Sequence, residues 1–155
     1  MEQLNKMKEQ NLIIIKPDGV KKHLVGECLR RFEKKGIEII DLKVSKLSKK
    51  DVRIFYAHLK PKLPRKLFES IVSYLSSGKV VIVIIKGEDI FKKTKNICGV
   101  TNPKEAKKGT IRGDFSTDDL NVSAKKLKAT KNIIHFSDNK KDFRQEIKLL
   151  RKLLK

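Results

Sequence analysis

Apolar residues along the chain fall into short blocks of differing period. Leu12-Ile13-Ile14-Ile15 is uninterrupted, and Asn11 to Lys16 reads as a strand buried on both faces. It stops at Pro17-Asp18-Gly19, a turn signal. From about Lys22 the period becomes helical, with Leu24, Cys28, Leu29 and Phe32 on one face and Gly36 as the stop after Glu33-Lys34-Lys35. Ile37 to Leu47 alternates, with a break near Asp41, and predicts a strand. Lys49 to His58 and Leu63 to Ser76 predict helices, separated by Lys60-Pro61-Lys62-Leu63-Pro64. Val80 to Ile85 is the second continuous apolar run and the clearest strand. A helix follows from Asp89 to about Cys98, and a last one starts near Lys141 with Phe143, Ile147, Leu150 and Leu154 on one stripe.

The order β-α-β-α-α-β-α, a long stretch and a final helix points to an α+β fold of the ferredoxin-like kind. That is a βαββαβ arrangement: a mostly antiparallel sheet with helices packed on one face. A fourth strand is needed near Asn132-Ile133-Ile134, where periodicity alone does not place it. Thr101 to Lys131 carries Pro103, Gly109, Gly113 and many lysines without a sustained period, and a loop of that length before His135 is expected to be functional or disordered. The expected organisation is one domain over 1–155, with 1–10 as a short N-terminal extension.

Composition narrows the classes. The 155 residues are enough for one domain with a real core. Two cysteines without CxxC spacing and three histidines indicate neither a disulfide framework nor a zinc centre. No apolar run approaches the ~18 residues of a membrane span, and no signal-peptide pattern opens the sequence. The expectation is a cytoplasmic domain that does not enter membranes. Thirty-eight basic against eighteen acidic residues give a net charge of +20, which attracts polyanions. Lysine-rich surfaces arise without such a role, however, and with no Trp and 6% aromatic residues there is no evident stacking platform for single-stranded nucleic acid.

Neither common glycine-rich phosphate cradle occurs, so a nucleotide would have to be held by side chains. His23 lies among lysines and reads as solvated surface. His58, near a helix end, reads as a C-terminal cap. His135 differs, since it follows a buried-looking triplet and precedes Ser137 and Asp138.

Four separated blocks then match one family in order. Asn11 to Val20 with its Lys16-Pro17-Asp18-Gly19, Thr101-Asn102-Pro103, Gly109-Thr110-Ile111-Arg112-Gly113-Asp114-Phe115, and Asn132-Ile133-Ile134-His135-Phe136-Ser137-Asp138 resemble the nucleoside diphosphate kinases from about Asn11 to Leu150. The resemblance implies a ping-pong transfer of the γ-phosphate from a nucleoside triphosphate such as ATP to a nucleoside diphosphate, through a phosphohistidine at His135. It implies Glu146 as the carboxylate orienting the histidine and Ser137 as the hydroxyl supporting that carboxylate. Lys16 and Tyr56 would reach the phosphates, Thr101 and Arg112 would donate to the terminal ones, and Asn132 would meet the ribose. Mg2+ would be held mainly by the phosphates and water, so no protein metal site is implied. A homo-oligomer is implied as well, a hexamer before a tetramer.

The chain departs from the family pattern in places. Lys95 stands where an arginine is usual, which keeps the charge and loses the bidentate fork. Leu67 stands where an aromatic residue usually stacks on the base, and Phe136 where a small residue usually follows the histidine. The Ser116 to Lys131 loop is longer than usual and rich in lysine, and the family's common C-terminal tail has no counterpart; both regions contribute to subunit contacts in the family. With the +20 charge, Lys95 and Phe136 motivate a second reading: a catalytically weakened relative that binds nucleic acid or another polyanion.

Overall fold

The two continuous apolar runs form the centre of the sheet. In the computed structural model, which describes residues 7–153, β1 (Glu9–Ile15) and β3 (Lys79–Gly87) pair antiparallel, with Leu12 opposite Ile84 and Ile14 opposite Ile82. β2 (Glu38–Lys46) flanks β3 and β4 (Ile134–Phe136) flanks β1, so the order is β2-β3-β1-β4 with every pair antiparallel. This is the ferredoxin-like α+β architecture. The break expected near Asp41 is an irregularity in the β2–β3 register between Ile39 and Asp41. The missing fourth strand is β4, two residues beyond the expected start. Residues 1–6, most of the expected extension, and Leu154 of the expected stripe lie outside the described residues.

Helices cover both faces of the sheet rather than one. Because β1 and β3 are apolar on both sides, each side needs a cover. Ile13, Ile15, Val83 and Ile85 pack under α2 (Val25–Lys34), α5 (Ile90–Cys98) and α6 (Ile111–Phe115) through Phe32, Ile97 and Ile111. Leu12, Ile14, Val80 and Ile82 pack under α3 (Lys49–Phe55), α4 (Arg65–Leu75) and α8 (Lys140–Leu153) through Val52, Phe68 and Leu150.

Three local readings change. Pro17-Asp18-Gly19 opens the one-turn helix α1 (Pro17–Lys21) instead of a plain turn, with Pro17 in the first turn, where its missing N–H costs nothing. α3 begins on a capping box between Ser48 and Asp51 and ends at Phe55, so His58 lies in a 3-10 segment (Ala57–Lys62) and does not cap the helix. The stretch after Thr101 is partly ordered, as α6 and α7 (Leu120–Lys125). Its short elements start on local side-chain caps (Thr110 and Asp119), which a search for hydrophobic period does not register.

Candidate active site

β4 and α8 bring together two residues far apart in the sequence. His135 leaves β4 on the α8 side, and its Nε2 lies 2.5 Å from Glu146 Oε1. Both side chains are mostly buried, at 20% and 13% exposure. Burial pushes the Glu146 carboxyl up, but the hydrogen bond and charge of His135 outweigh it, helped by Ser137 and His58, and the net shift is downward. An ionised Glu146 only accepts, so Nε2 carries the proton and the lone pair of a neutral ring stands on Nδ1. Ser137 is fixed by its backbone, its N–H donating to Leu12 O at 3.3 Å and its O accepting from Asn11 Nδ2 at 3.0 Å. Its hydroxyl lies against Glu146 and is a buried polar atom without a full hydrogen bond among the described residues.

Aromatic rings confine the imidazole. Phe55 and Tyr56 meet it edge to face, with centroids 5.7 and 6.0 Å away. His58 stacks on Tyr56 at 6.2 Å and lines, with His135 and Glu146, a cavity of about 770 Å³. Burial, and then the charge of Glu146, push the Tyr56 phenol up, so it remains a hydrogen-bond donor at neutral pH.

A second cavity, about 380 Å³, is lined by Lys16, Tyr56, Leu67, Thr101 and Asn132 among others. Five of the expected nucleotide-binding residues therefore share one groove. Lys16 Nζ donates to Asn132 Oδ1 at 2.7 Å, and Asn132 Nδ2 donates to Thr101 O at 3.1 Å. Burial above all, with the nearby Arg112 charge, pushes the Lys16 amine down to about 7, although Asp18 opposes the shift. The apolar wall comes from Leu59, Leu63, Leu67 and Ile71, closed over by Leu120 and Ala124 of α7. The Ser116 to Lys131 stretch is thus part of the groove.

Two expected residues stand elsewhere. Lys95 is exposed near the end of α5 and lines neither cavity. Arg112 lies buried behind Asn132, with Nε, Nη1 and Nη2 donating to Asn132 O, Gly99 O and Ile134 O at 3.3, 3.0 and 2.6 Å. Three of the five N–H groups of the guanidinium are thereby used. Phe136 points to the opposite face from His135, packs in the core and carries the Arg112 guanidinium over its ring at 5.1 Å. Phe136 also lines the larger cavity alongside His135.

The backbone leading into His135 is strained. Ile133 has φ of 75°, and Ile134 N donates to Asn132 O at 2.8 Å, which makes a γ-turn of the rare sense. Such a conformation costs about 1–3 kcal/mol. Complete burial of the isoleucine side chain returns roughly 1.5–3 kcal/mol, so strain and burial are of similar size and the surrounding hydrogen bonds decide the geometry.

Phe55, His58, Asp18 and Tyr74 also border this region, though the sequence alone does not point to them as site residues. Only Asp18 carried a signal, a carboxylate directly after the end of a strand buried on both faces.

Known proteins resemble this chain in sequence and in fold. The family pattern described as nucleoside diphosphate kinase matches residues 9–153. A nucleoside diphosphate kinase of Desulforapulum autotrophicum is 42% identical over 130 residues, covering 84% of this chain and 85% of that protein. One from Methanocaldococcus jannaschii is 37% identical over 143 residues, covering 92% and 93%. Among solved structures, a transition-state mimic of the Borrelia burgdorferi nucleoside-diphosphate kinase with bound vanadate and ADP superposes with a TM-score of 0.85 at 30% identity, covering 92% of this chain and 86% of that one. An NDP kinase from Pyrobaculum aerophilum gives 0.81 at 28% identity, covering 92% and 95%. With fold, sequence and the order of its motif blocks in agreement over nearly the whole described length, the chain belongs to the nucleoside diphosphate kinase family, a family of phosphotransferases.

Proposed function

We propose that the chain moves a γ-phosphoryl group between nucleotides through His135. The observation that carries this reading is the His135–Glu146 pair at 2.5 Å beside a groove lined by Lys16, Tyr56 and Asn132. The Nδ1 lone pair of His135 forms a bond to the γ-phosphorus. The bond from that phosphorus to the bridging oxygen breaks, and its electron pair leaves with the nucleoside diphosphate. A second diphosphate reverses the step with its terminal oxygen. Glu146 fixes the tautomer and stabilises the cationic ring, with Ser137 beside it. Lys16, Arg112, Thr101 and the Tyr56 hydroxyl meet the phosphates, Asn132 meets the ribose and Leu67 lies against the base, while Lys95 adds positive charge at the end of α5. Above about pH 7, where the free Lys16 amine loses its proton, phosphate arrival restores it.

The groove offers amine, amide and hydroxyl donors, which suit phosphate oxygens better than a resident metal. Mg2+ would enter with the nucleotide, be held by its phosphates and water, and offset their charge. Family membership also supports a cytoplasmic homo-oligomer, a hexamer before a tetramer. The edge strand β2, which leaves Ile40, Leu42 and Val44 exposed, supports association of copies. Among the described residues no helix is long and apolar enough to cross a membrane. The polyanion reading is not favoured, because the nucleophile and its orienting carboxylate are intact and Phe136 packs away from them.

The test is to mix the protein with γ-labelled ATP and magnesium and chase with a different nucleoside diphosphate. Acid-labile, alkali-stable label on the wild type and none on His135→Ala, chased into the new triphosphate, is the expected result. Absence of label on folded wild-type protein would refute the reading.

A further inference from the structure

Ile133 is a β-branched residue at positive φ, two positions before His135, and its γ-turn separates His135 from Asn132, the residue that meets Lys16. The geometry of that turn therefore sets the distance between the nucleophile and the donors in the groove. Sheet pairing does not hold it, because the β1–β4 ladder begins at Ile134 opposite Ile15.

A clamp from the β1–α1 junction holds it instead. Lys16 N donates to Ile133 O at 2.7 Å, and Asp18 Oδ2 accepts from Ile133 N at 3.0 Å. Asp18 is 7% exposed, and its other oxygen accepts from the Tyr74 hydroxyl of α4. Gly19 completes the contact, since a Cβ there would meet Ile133 Cγ2 at 3.0 Å and Ile133 O at 3.1 Å. Asp18 thus gives an N–H that the sheet cannot reach a charged acceptor, and Tyr74 fixes the rotation of that carboxylate. A neutral backbone partner would bind the N–H less strongly.

We infer that Asp18, oriented by Tyr74, is a positioning residue for phosphoryl transfer: it locks the Ile133 turn and so fixes His135 against the Lys16–Asn132 side of the groove. The inference rests on His135 as the phosphorylated residue. Asp18 touches no substrate in this role. Its loss slows transfer to His135 and leaves nucleotide affinity nearly intact.

Asp18 also raises the affinity of Lys16 for its proton, so an effect through Lys16 is the rival explanation. The two separate in experiment. Rapid-quench phosphorylation by γ-labelled ATP with magnesium would be run on the wild type, Asp18→Asn, Tyr74→Phe and the double variant. ADP affinity and final label per chain would be measured beside it. Asp18→Asn is expected to lower the phosphorylation rate constant about 10- to 100-fold at every pH from 6 to 9, at full label amplitude and with ADP affinity within about threefold. Tyr74→Phe, which keeps the Asp18 charge, is expected to lower it about three- to tenfold, and the double variant to match Asp18→Asn alone. A wild-type rate in either single variant, an equal loss of affinity, a loss confined to high pH, or independent multiplying effects would each overturn the inference. If Asp18→Asn does not fold, Tyr74→Phe decides alone. Absence of label on the wild type would remove the His135 reading first, and the inference with it.

Discussion

At the scale of single residues, two ionisations in the proposed site each make a prediction. Glu146 matters as an acceptor that never donates. In Glu146→Gln the new amide N–H can face His135 Nε2, which moves the ring proton to Nδ1 and occupies the lone pair. Phosphorylation by ATP is then expected to slow by about 10²–10⁴, the size of a wrong-tautomer effect, with ADP affinity little changed. Single-turnover quench measures this, and an unaltered rate would show that the carboxylate does not select the tautomer. Lys16, pushed down to about 7 mainly by burial, is largely neutral in the free protein at pH 8. A bound polyphosphate favours the charged amine, so the proton goes from solvent onto the lysine. ADP binding at pH 8 is expected to take up about one proton per site, and the apparent affinity to weaken as pH rises above about 7. Calorimetry in buffers of different ionisation enthalpy reads the uptake, and Lys16→Met should abolish it. An uptake that survives that substitution would locate the proton elsewhere.

At the scale of elements, short helices with no strong hydrophobic period do the positioning. α6 presents Arg112, and its Gly113 lies so close to the preceding loop that a Cβ would meet Lys107 O at 2.1 Å. Backbone oxygen cannot yield as a side chain can. Gly113→Ala is therefore expected to destabilise the fold by more than about 3 kcal/mol, which chemical denaturation would detect; a change under about 1 kcal/mol would mean that α6 moves freely. α4 and α7 contribute aliphatic wall to the groove, and in the proposed function Leu67 of α4 lies against the base. Leu67→Phe is expected to tighten ADP binding by about 1 kcal/mol or more, roughly five- to tenfold, without raising the turnover rate. These elements also mark the boundary of what the sequence reveals. β1 and β3 are legible because a run of aliphatic residues has nowhere to go but a sheet centre, and α8 because its apolar stripe repeats at helical spacing. The γ-turn at Ile133 is illegible, since nothing in Asn-Ile-Ile announces a positive φ that a carboxylate 115 positions away maintains. The pairing of His135 with Glu146 is likewise set by how β4 and α8 pack, and only resemblance to a family named Glu146 in advance. The face that Phe136 takes is illegible for the same reason: alternation along a three-residue strand decides it, and that strand has no period of its own.

At the scale of the whole molecule, the +20 charge acts on stability and on binding in opposite directions. Among the described residues, ion pairs such as Arg30 with Glu27, Arg31 with Asp114 and Arg53 with Glu69 involve a minority of the cations, and the solvent-exposed ones among them are screened and add little. The remaining lysines repel one another across the surface. Raising sodium chloride from about 10 mM to about 100 mM shortens the screening length from about 30 Å to about 10 Å and relieves that repulsion. Each kcal/mol so released is worth about 2–4 °C in Tm for a chain of this size, so an upward shift of at least about 2 °C is expected. Over the same range ADP should bind more weakly, because the field that drives the lysines apart also draws the polyphosphate to Lys16 and Arg112. Thermal melts and ADP titrations in sodium chloride and in potassium glutamate at equal ionic strength test both halves. A Tm rise produced by sulfate or phosphate but by neither of these salts would mean that an anion seated in the groove stabilises the fold. A Tm that falls with salt would mean that local ion pairs outweigh the repulsion, and the basic surface would then contribute to holding the domain together.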